Sequence, residues 1–98
     1  MPTPLTSRQR AKLRGMATNL KPVVQIGKQG LTDSAIKEIS FALERLELIK
    51  VRVAAENRDE RAVLMAGIAE RTASEFCGAV GTSASYYRAS EKSLIKLD

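Results

Sequence analysis

The sequence predicts one compact α/β (α+β) domain with elements in the order α-β-α-β-α-β-β, a four-stranded mixed sheet carrying its helices mainly on one face. Three observations lead there. A chain of 98 residues has room for one modest core and none for a second. Three segments repeat apolar side chains every three or four residues, the spacing of a helix with one buried face. Short apolar or alternating runs separate and follow them. Such strand–helix–strand units imply right-handed crossovers and a parallel core sheet, closed here by an antiparallel hairpin. The domain is expected to span residues 1–98, with its core at about 5–90 and a loosely ordered tail at 91–98.

Thr6 or Ser7 is placed to cap a first helix reaching Asn19. Leu13, Met16, Ala17 and Leu20 form its expected buried stripe, with Gly15 opposite. Residues 19–21 turn the chain, Pro22 enters a first strand with its apolar run at 23–26, and Gly27-Lys28-Gln29-Gly30 follows as a bend. Thr32 caps the second helix, with Asp33 suitably placed for its positive end. Ile36, Ile39, Leu43 and Leu46 mark the buried side of that helix, and Phe41 falls opposite, facing solvent. In a second strand at 48–54, Ile49, Val51 and Val53 point one way and Lys50 and Arg52 the other. Residues 57–59 read as turn and cap, and a third helix at 60–72 buries Leu64, Met65, Ile68 and Ala69. Gly81-Thr82 then joins a third strand at 75–80 to a fourth at 83–88, and the tail ends in an alternating Leu94, Lys96 pattern. With both crossovers progressing in the same direction, helices two and three cover one face. Lys50 and Arg52 lie on the more open one.

Charge is distributed unevenly. The net charge is +5, yet no acidic side chain precedes Asp33, where Arg8, Arg10, Lys12, Arg14, Lys21 and Lys28 stand. From Asp33 onward ten basic residues face eleven acidic ones. One-sided positive charge is the footprint of a polyanion partner. On a helical wheel Arg10 and Arg14 lie on one flank of the first stripe, Arg8 and Lys12 on the other. Each pair is spaced i, i+4, a mild repulsion that an anion would offset. Gly27 and Gly30 bracket a basic and a polar residue at a strand-to-helix junction, where glycine permits close backbone approach and the helix start offers free N–H groups. From local sequence alone, a tight turn needing small residues explains the glycines equally well.

The stretch LKPVVQIGKQGLTDSAIKEISFALERLELIKVRV resembles the CRM domain, or YhbY-like family, of RNA-binding proteins. The specific combination is Leu20-Lys21-Pro22, then Val-x-Ile-Gly-x-x-Gly-Leu-Thr, then Glu-Leu-Ile-Lys-Val. The resemblance continues to the Tyr87-Arg88 pair and spans roughly residues 5 to 90. It implies a fold similar to the C-terminal domain of translation initiation factor three. It also implies a role like that of the single-domain bacterial members, which associate with precursors of the large ribosomal subunit; plant multi-domain members act in organellar intron splicing. By position, the family's GxxG loop is Gly27, Lys28, Gln29 and Gly30, with Lys21 and the helix-one cations as neighbouring basic surface. The sequence departs from the family pattern at Ser83-Ala84-Ser85-Tyr86, usually more aliphatic, and at Ala89, where proline is common.

The expected partner is therefore RNA, ribosomal RNA or a pre-large-subunit particle, with ribosomal proteins as further candidates and a monomeric protein as the binding unit. Gly27 and Gly30 let the loop backbone approach a phosphate. Lys28, Lys21, Arg8, Arg10, Lys12, Arg14, Lys50 and Arg52 neutralise its neighbours. Two Phe, two Tyr and no Trp leave little for base stacking, and of Tyr86 and Tyr87, on opposite faces of one strand, one is expected in the core. No catalytic, metal or cofactor site is expected: there is no His, Cys77 is the only cysteine, and GKQG is not a nucleotide-binding signature. The lone cysteine and an amino terminus unlike a secretory signal point to the cytoplasm. An alternative is a protein-interaction module built on Glu38, Phe41, Glu44 and Glu47 of helix two. A membrane-surface role would use the same cations, but helix one lacks the required large apolar face.

Overall fold

The computed structural model describes residues 5–95 and Leu97; residues 1–4, Lys96 (half of the alternating tail pattern) and Asp98 lie outside the described residues. The elements are α1 (Ser7–Ala17), β1 (Pro22–Ile26), α2 (Asp33–Leu46), β2 (Leu48–Val53), α3 (Arg58–Thr72), β3 (Glu75–Val80) and β4 (Ser83–Tyr87). Side-chain caps set the helix starts. Thr6 accepts from the Gln9 N–H while the Gln9 side chain accepts from the Thr6 N–H, a reciprocal capping box. Thr32 accepts from Ala35 N–H at 3.1 Å and Asn57 from Glu60 N–H at 2.8 Å. Because Asn57 is the cap, α3 begins at Arg58, ahead of its apolar stripe.

The strand order is β1-β2-β4-β3, with β1 parallel to β2 and β4 antiparallel to both its neighbours. The mixed sheet is as predicted, but β2 and β3 are not adjacent: the hairpin folds β4 between them, leaving one parallel pair. Burial explains the exchange. Ala84, Ser85, Tyr86 and Tyr87 are all buried in β4, as a central strand requires, whereas β3 leaves Ala79 and Val80 exposed and serves as an edge.

On one face α2 and α3 bury Ile39, Leu43, Met65 and Ile68 against Val24, Ile26, Ile49, Val51, Val53, Ala84 and Tyr86. Leu64 and Ala69 are only partly buried at its margin. On the other face α1 lays Leu13 and Ala17 over Leu48, Cys77 and Tyr87, with Leu5, Ile95 and Leu97 at the border. Both tyrosines are thus core residues rather than one. The Tyr86 hydroxyl donates to the Met65 carbonyl at 2.7 Å, and burial raises its pKa above the ordinary phenol value.

The apolar stripes overstate burial at their ends. Met16 is 42% exposed, Leu20 38% and Leu46 49%. The α1 helix buries only Leu13 and Ala17 against the sheet, and among the described residues none fully covers Met16 or Leu20 beside them, or Leu46 at the end of α2. The tail is also better tied than expected. Glu47, which ends α2 at φ 66 and is completely buried, accepts from the Ser90 N–H at 2.9 Å, the Ser90 hydroxyl, and the Ile95 N–H at 2.7 Å. Ile95 and Leu97 then pack beside α1. Glu47 is therefore absent from the helix-two surface that the protein-interaction reading used.

Candidate nucleic-acid interface

Lys50 and Arg52 alternate with core residues of β2 and so stand on the face that α1 only partly covers. In the β2–β4 ladder Lys50 is opposite Ser85 and Arg52 opposite Ser83; across β1, Arg52 is opposite Gln25. Arg14 joins this face from α1. Its stem lies across Gly78 of β3, where an added Cβ would stand 2.8 Å from Arg14 Cδ, and Arg14 and Lys50 line the same depression.

The loop 27–30 leaves the adjoining end of β1. Gly30 N–H donates to Gly27 O at 3.0 Å and Thr32 N–H to Gly30 O at 3.1 Å, while residues 27–29 are exposed. Gly30 has φ +72, a left-handed conformation that favours glycine. Gly27 does not adopt positive φ, and an added Cβ there would meet nothing within 4 Å. The fold alone thus explains the second glycine but not the first. With strands about 4.8 Å apart and residues rising about 3.3 Å, Arg14 lies roughly 20 Å from the loop, with Lys50 and Arg52 between.

The α3 helix holds the loop from behind. Leu31 sits on Gly67, where a Cβ would come within 2.9 Å of Leu31 Cδ1. Arg71 donates through Nη1 to Leu31 O at 3.0 Å and through Nη2 to Asp33 Oδ1 at 3.1 Å, partnering the acidic group beside the loop. Sequence reading missed Gly67 and Arg71, whose partners are about 40 residues away. It also missed Gln25, Ser83 and Ser85, although alternation with Val24, Ile26, Ala84 and Tyr86 carries the signal that they share a face.

The remaining predicted cations are divided. Lys21 and Lys28 are exposed. Arg10 is partly buried beside Glu75, with its Nη2 3.6 Å from the carboxylate. Arg8 and Lys12 occupy the flank of α1 opposite Arg14, so helix geometry separates them from the depression shared with Lys50. Cys77 is buried, and burial pushes its thiol up to about 11, leaving it protonated at neutral pH. Among the described residues there is no cluster of His, Cys, Asp and Glu suited to a metal ion, and no helix long and apolar enough to cross a membrane.

A single α-β-α-β-α-β-β domain with a four-stranded mixed sheet belongs to the class of small α+β domains. The CRS1 / YhbY (CRM) domain model matches residues 5–88, and the chain belongs to that family. An RNA-binding protein of Haemophilus influenzae is 37% identical over 97% of this chain and 96% of its own. A probable RNA-binding protein of Bacillus subtilis is 33% identical over 90% of this chain and 92% of its own. The solution structure of a Staphylococcus aureus protein, described as a candidate RNA-binding protein, superposes with a TM-score of 0.81 at 40% identity, covering 90% of this chain and 92% of that one.

Proposed function

We propose that the protein binds RNA along a path from Arg14 across Lys50 and Arg52 to the loop 27–30, and that its target is ribosomal RNA in a precursor of the large subunit in the cytoplasm. The observation that carries this reading is Gly27: the fold imposes no demand for glycine there, yet it opens an exposed loop at the end of a row of cations. A bare backbone lets a phosphate approach loop amides, and the start of α2 adds favourable potential. Lys28 neutralises a phosphate at the loop, and Lys21, at the opposite end of β1 beside the Pro22–Lys50 pairing, one farther along the path. The relatives described as RNA-binding support an RNA partner. The large-subunit precursor follows from resemblance to single-domain bacterial members. Contacts of this kind position a protein on folded RNA by shape and backbone rather than by base identity. No residue in this account performs a chemical step.

Lys28→Glu and Arg52→Glu, each checked for folding, test the path by filter binding to ribosomal RNA across a salt series. Each is expected to weaken binding and flatten the salt slope, by about one phosphate for every contact removed. Folded variants with unchanged affinity and slope would refute the reading.

A second reading rests on Phe41, which is 61% exposed with the Arg45 guanidinium 5.7 Å from its ring centroid. It borders a depression with Val23, Glu38 and Leu46, a mixed surface suited to a ribosomal protein. RNase treatment before sedimentation separates the two: particle association lost afterwards favours RNA, and association retained favours this protein contact.

A further inference from the structure

We propose that the depression between α1 and the open sheet face is a pocket for a phosphate group, and that it takes a backbone phosphate of the bound RNA. The proposal rests on the RNA reading and adds a second anchoring point, remote from the loop 27–30. The pocket has a volume of about 140 Å³. At about 30 Å³ of liquid volume per water, that is room for a tetrahedral oxyanion with part of its hydration. Arg14 and Lys50 supply two cations to the lining, and among the described residues no carboxylate lines it.

Ser85 marks the pocket as a binding site. It is only 6% exposed and lines the depression, but its hydroxyl has no hydrogen-bond partner among the described residues. The hydroxyl itself is not sealed from solvent, so it is open to a ligand in the depression, and a phosphate oxygen would accept its proton. The Lys50 backbone pairs with Ser85 in the ladder, so both side chains rise from adjacent points on one face. Gly78 completes the arrangement: any side chain there would collide with the Arg14 stem, so its absence lets Arg14 lie against the sheet. The Thr18 hydroxyl donates to Arg14 O at 3.3 Å and fastens the last turn of α1 at the pocket edge. A planar guanidinium, an ammonium and a hydroxyl donor around one cavity match a phosphate group.

The test compares Ser85→Ala, Arg14→Gln and their combination with the unmodified protein, using a ribosomal RNA fragment in filter binding and circular dichroism to confirm folding. Ser85→Ala is expected to weaken binding about threefold to tenfold with the salt slope unchanged, because no charge is lost. Arg14→Gln is expected to weaken binding and reduce the slope by about one. The double variant should fall short of the product of the two effects, since both groups hold one phosphate. Wild-type affinity in Ser85→Ala, or independent effects in the double variant, would overturn the proposal. Lys28→Glu distinguishes the readings: if it weakens binding while Ser85→Ala does not, only the pocket falls, and if neither matters, the RNA reading falls with it. Inorganic phosphate is titrated separately and followed at the Ser85 and Lys50 amides. Saturation there, together with wild-type RNA affinity in Ser85→Ala, would assign the pocket to free phosphate and overturn the proposal.

Discussion

Replacing Glu47 with glutamine removes one charge and almost no volume, at a position where sequence reading saw only a surface acid. The carboxylate is buried and is held by the hydroxyl and N–H of Ser90 and the N–H of Ile95. Hydrogen bonds to a charged acceptor contribute about 1.5–3 kcal/mol, against about 1 kcal/mol for neutral ones. Glutamine keeps one acceptor oxygen and turns an NH₂ group toward a donor, so one N–H or hydroxyl loses its partner. The combined effect is about 2–4 kcal/mol. For a domain of this size each kcal/mol lowers the melting temperature by about 4–8 °C, so a drop of about 10 °C or more is expected. Hydrogen exchange should show the Ser90 and Ile95 amides losing protection before the sheet does.

Acid should reproduce the effect in the unmodified protein. Burial raises the Glu47 pKa, but the Ser90 hydroxyl and the N–H groups of Ile95, Ser90 and Leu94 outweigh it and hold the carboxyl below its ordinary value of 4.5. A lowered folded-state pKa gives stability that is present above the unfolded value and lost as pH falls through the folded one. The difference in stability between the unmodified protein and Glu47→Gln should therefore shrink as pH falls from 6 toward and below the lowered pKa. A melting temperature within about 2 °C of the unmodified protein at pH 6, with protection at Ser90 and Ile95 intact, would refute the reasoning.

Other substitutions probe the loop support and the helix ends. Gly67→Ala gains about 1 kcal/mol of helix propensity but drives a Cβ to 2.9 Å from Leu31 Cδ1. Global stability should change little, while displacement of the loop weakens RNA binding severalfold without altering the salt slope; unchanged affinity would show that α3 does not position the loop. Ala73 ends α3 at φ 54, ψ 40, a left-handed conformation, so Ala73→Gly should stabilise by up to about 1 kcal/mol in urea unfolding, and a loss of stability would contradict that. Tyr86→Phe removes the 2.7 Å bond to Met65 O and should destabilise by about 1 kcal/mol, the same assay deciding it.

Element order and most boundaries were legible because they depend on neighbours in sequence. Thr32 as a cap, and the alternation of Ile49, Val51 and Val53 with Lys50 and Arg52, are local patterns. The sequence places the start of the third helix at 60, after a turn and cap at 57–59, and the helix starts two residues earlier because Asn57 is the cap. Strand order was not legible, because the same alternation fits β2 beside either β3 or β4; relative burial of the two strands decides it. Met16, Leu20 and Leu46 continue helical stripes yet remain exposed, since periodicity identifies a face but not how far a neighbour extends over it. The buried role of Glu47 depends on residues 43 and 48 positions away, and the support of the loop by Arg71 on residues 38 and 40 positions away. No local pattern encodes either. The helical wheel separates Arg8 and Lys12 from Arg14, but which flank of α1 meets the sheet depends on the fold, where Arg14 lies over Gly78 and shares a depression with Lys50.

The central claim is that RNA lies across the half-covered sheet face and reaches the loop 27–30. Titrating ¹⁵N-labelled protein with a ribosomal RNA fragment and following amide resonances tests it most directly. The account predicts that perturbations concentrate at Gly27, Lys28, Gly30, Arg52, Lys50 and Ser85, with the Phe41 side of α2 unaffected. Perturbations centred on Phe41, Leu46 and Val23, with the loop amides unmoved, would contradict it.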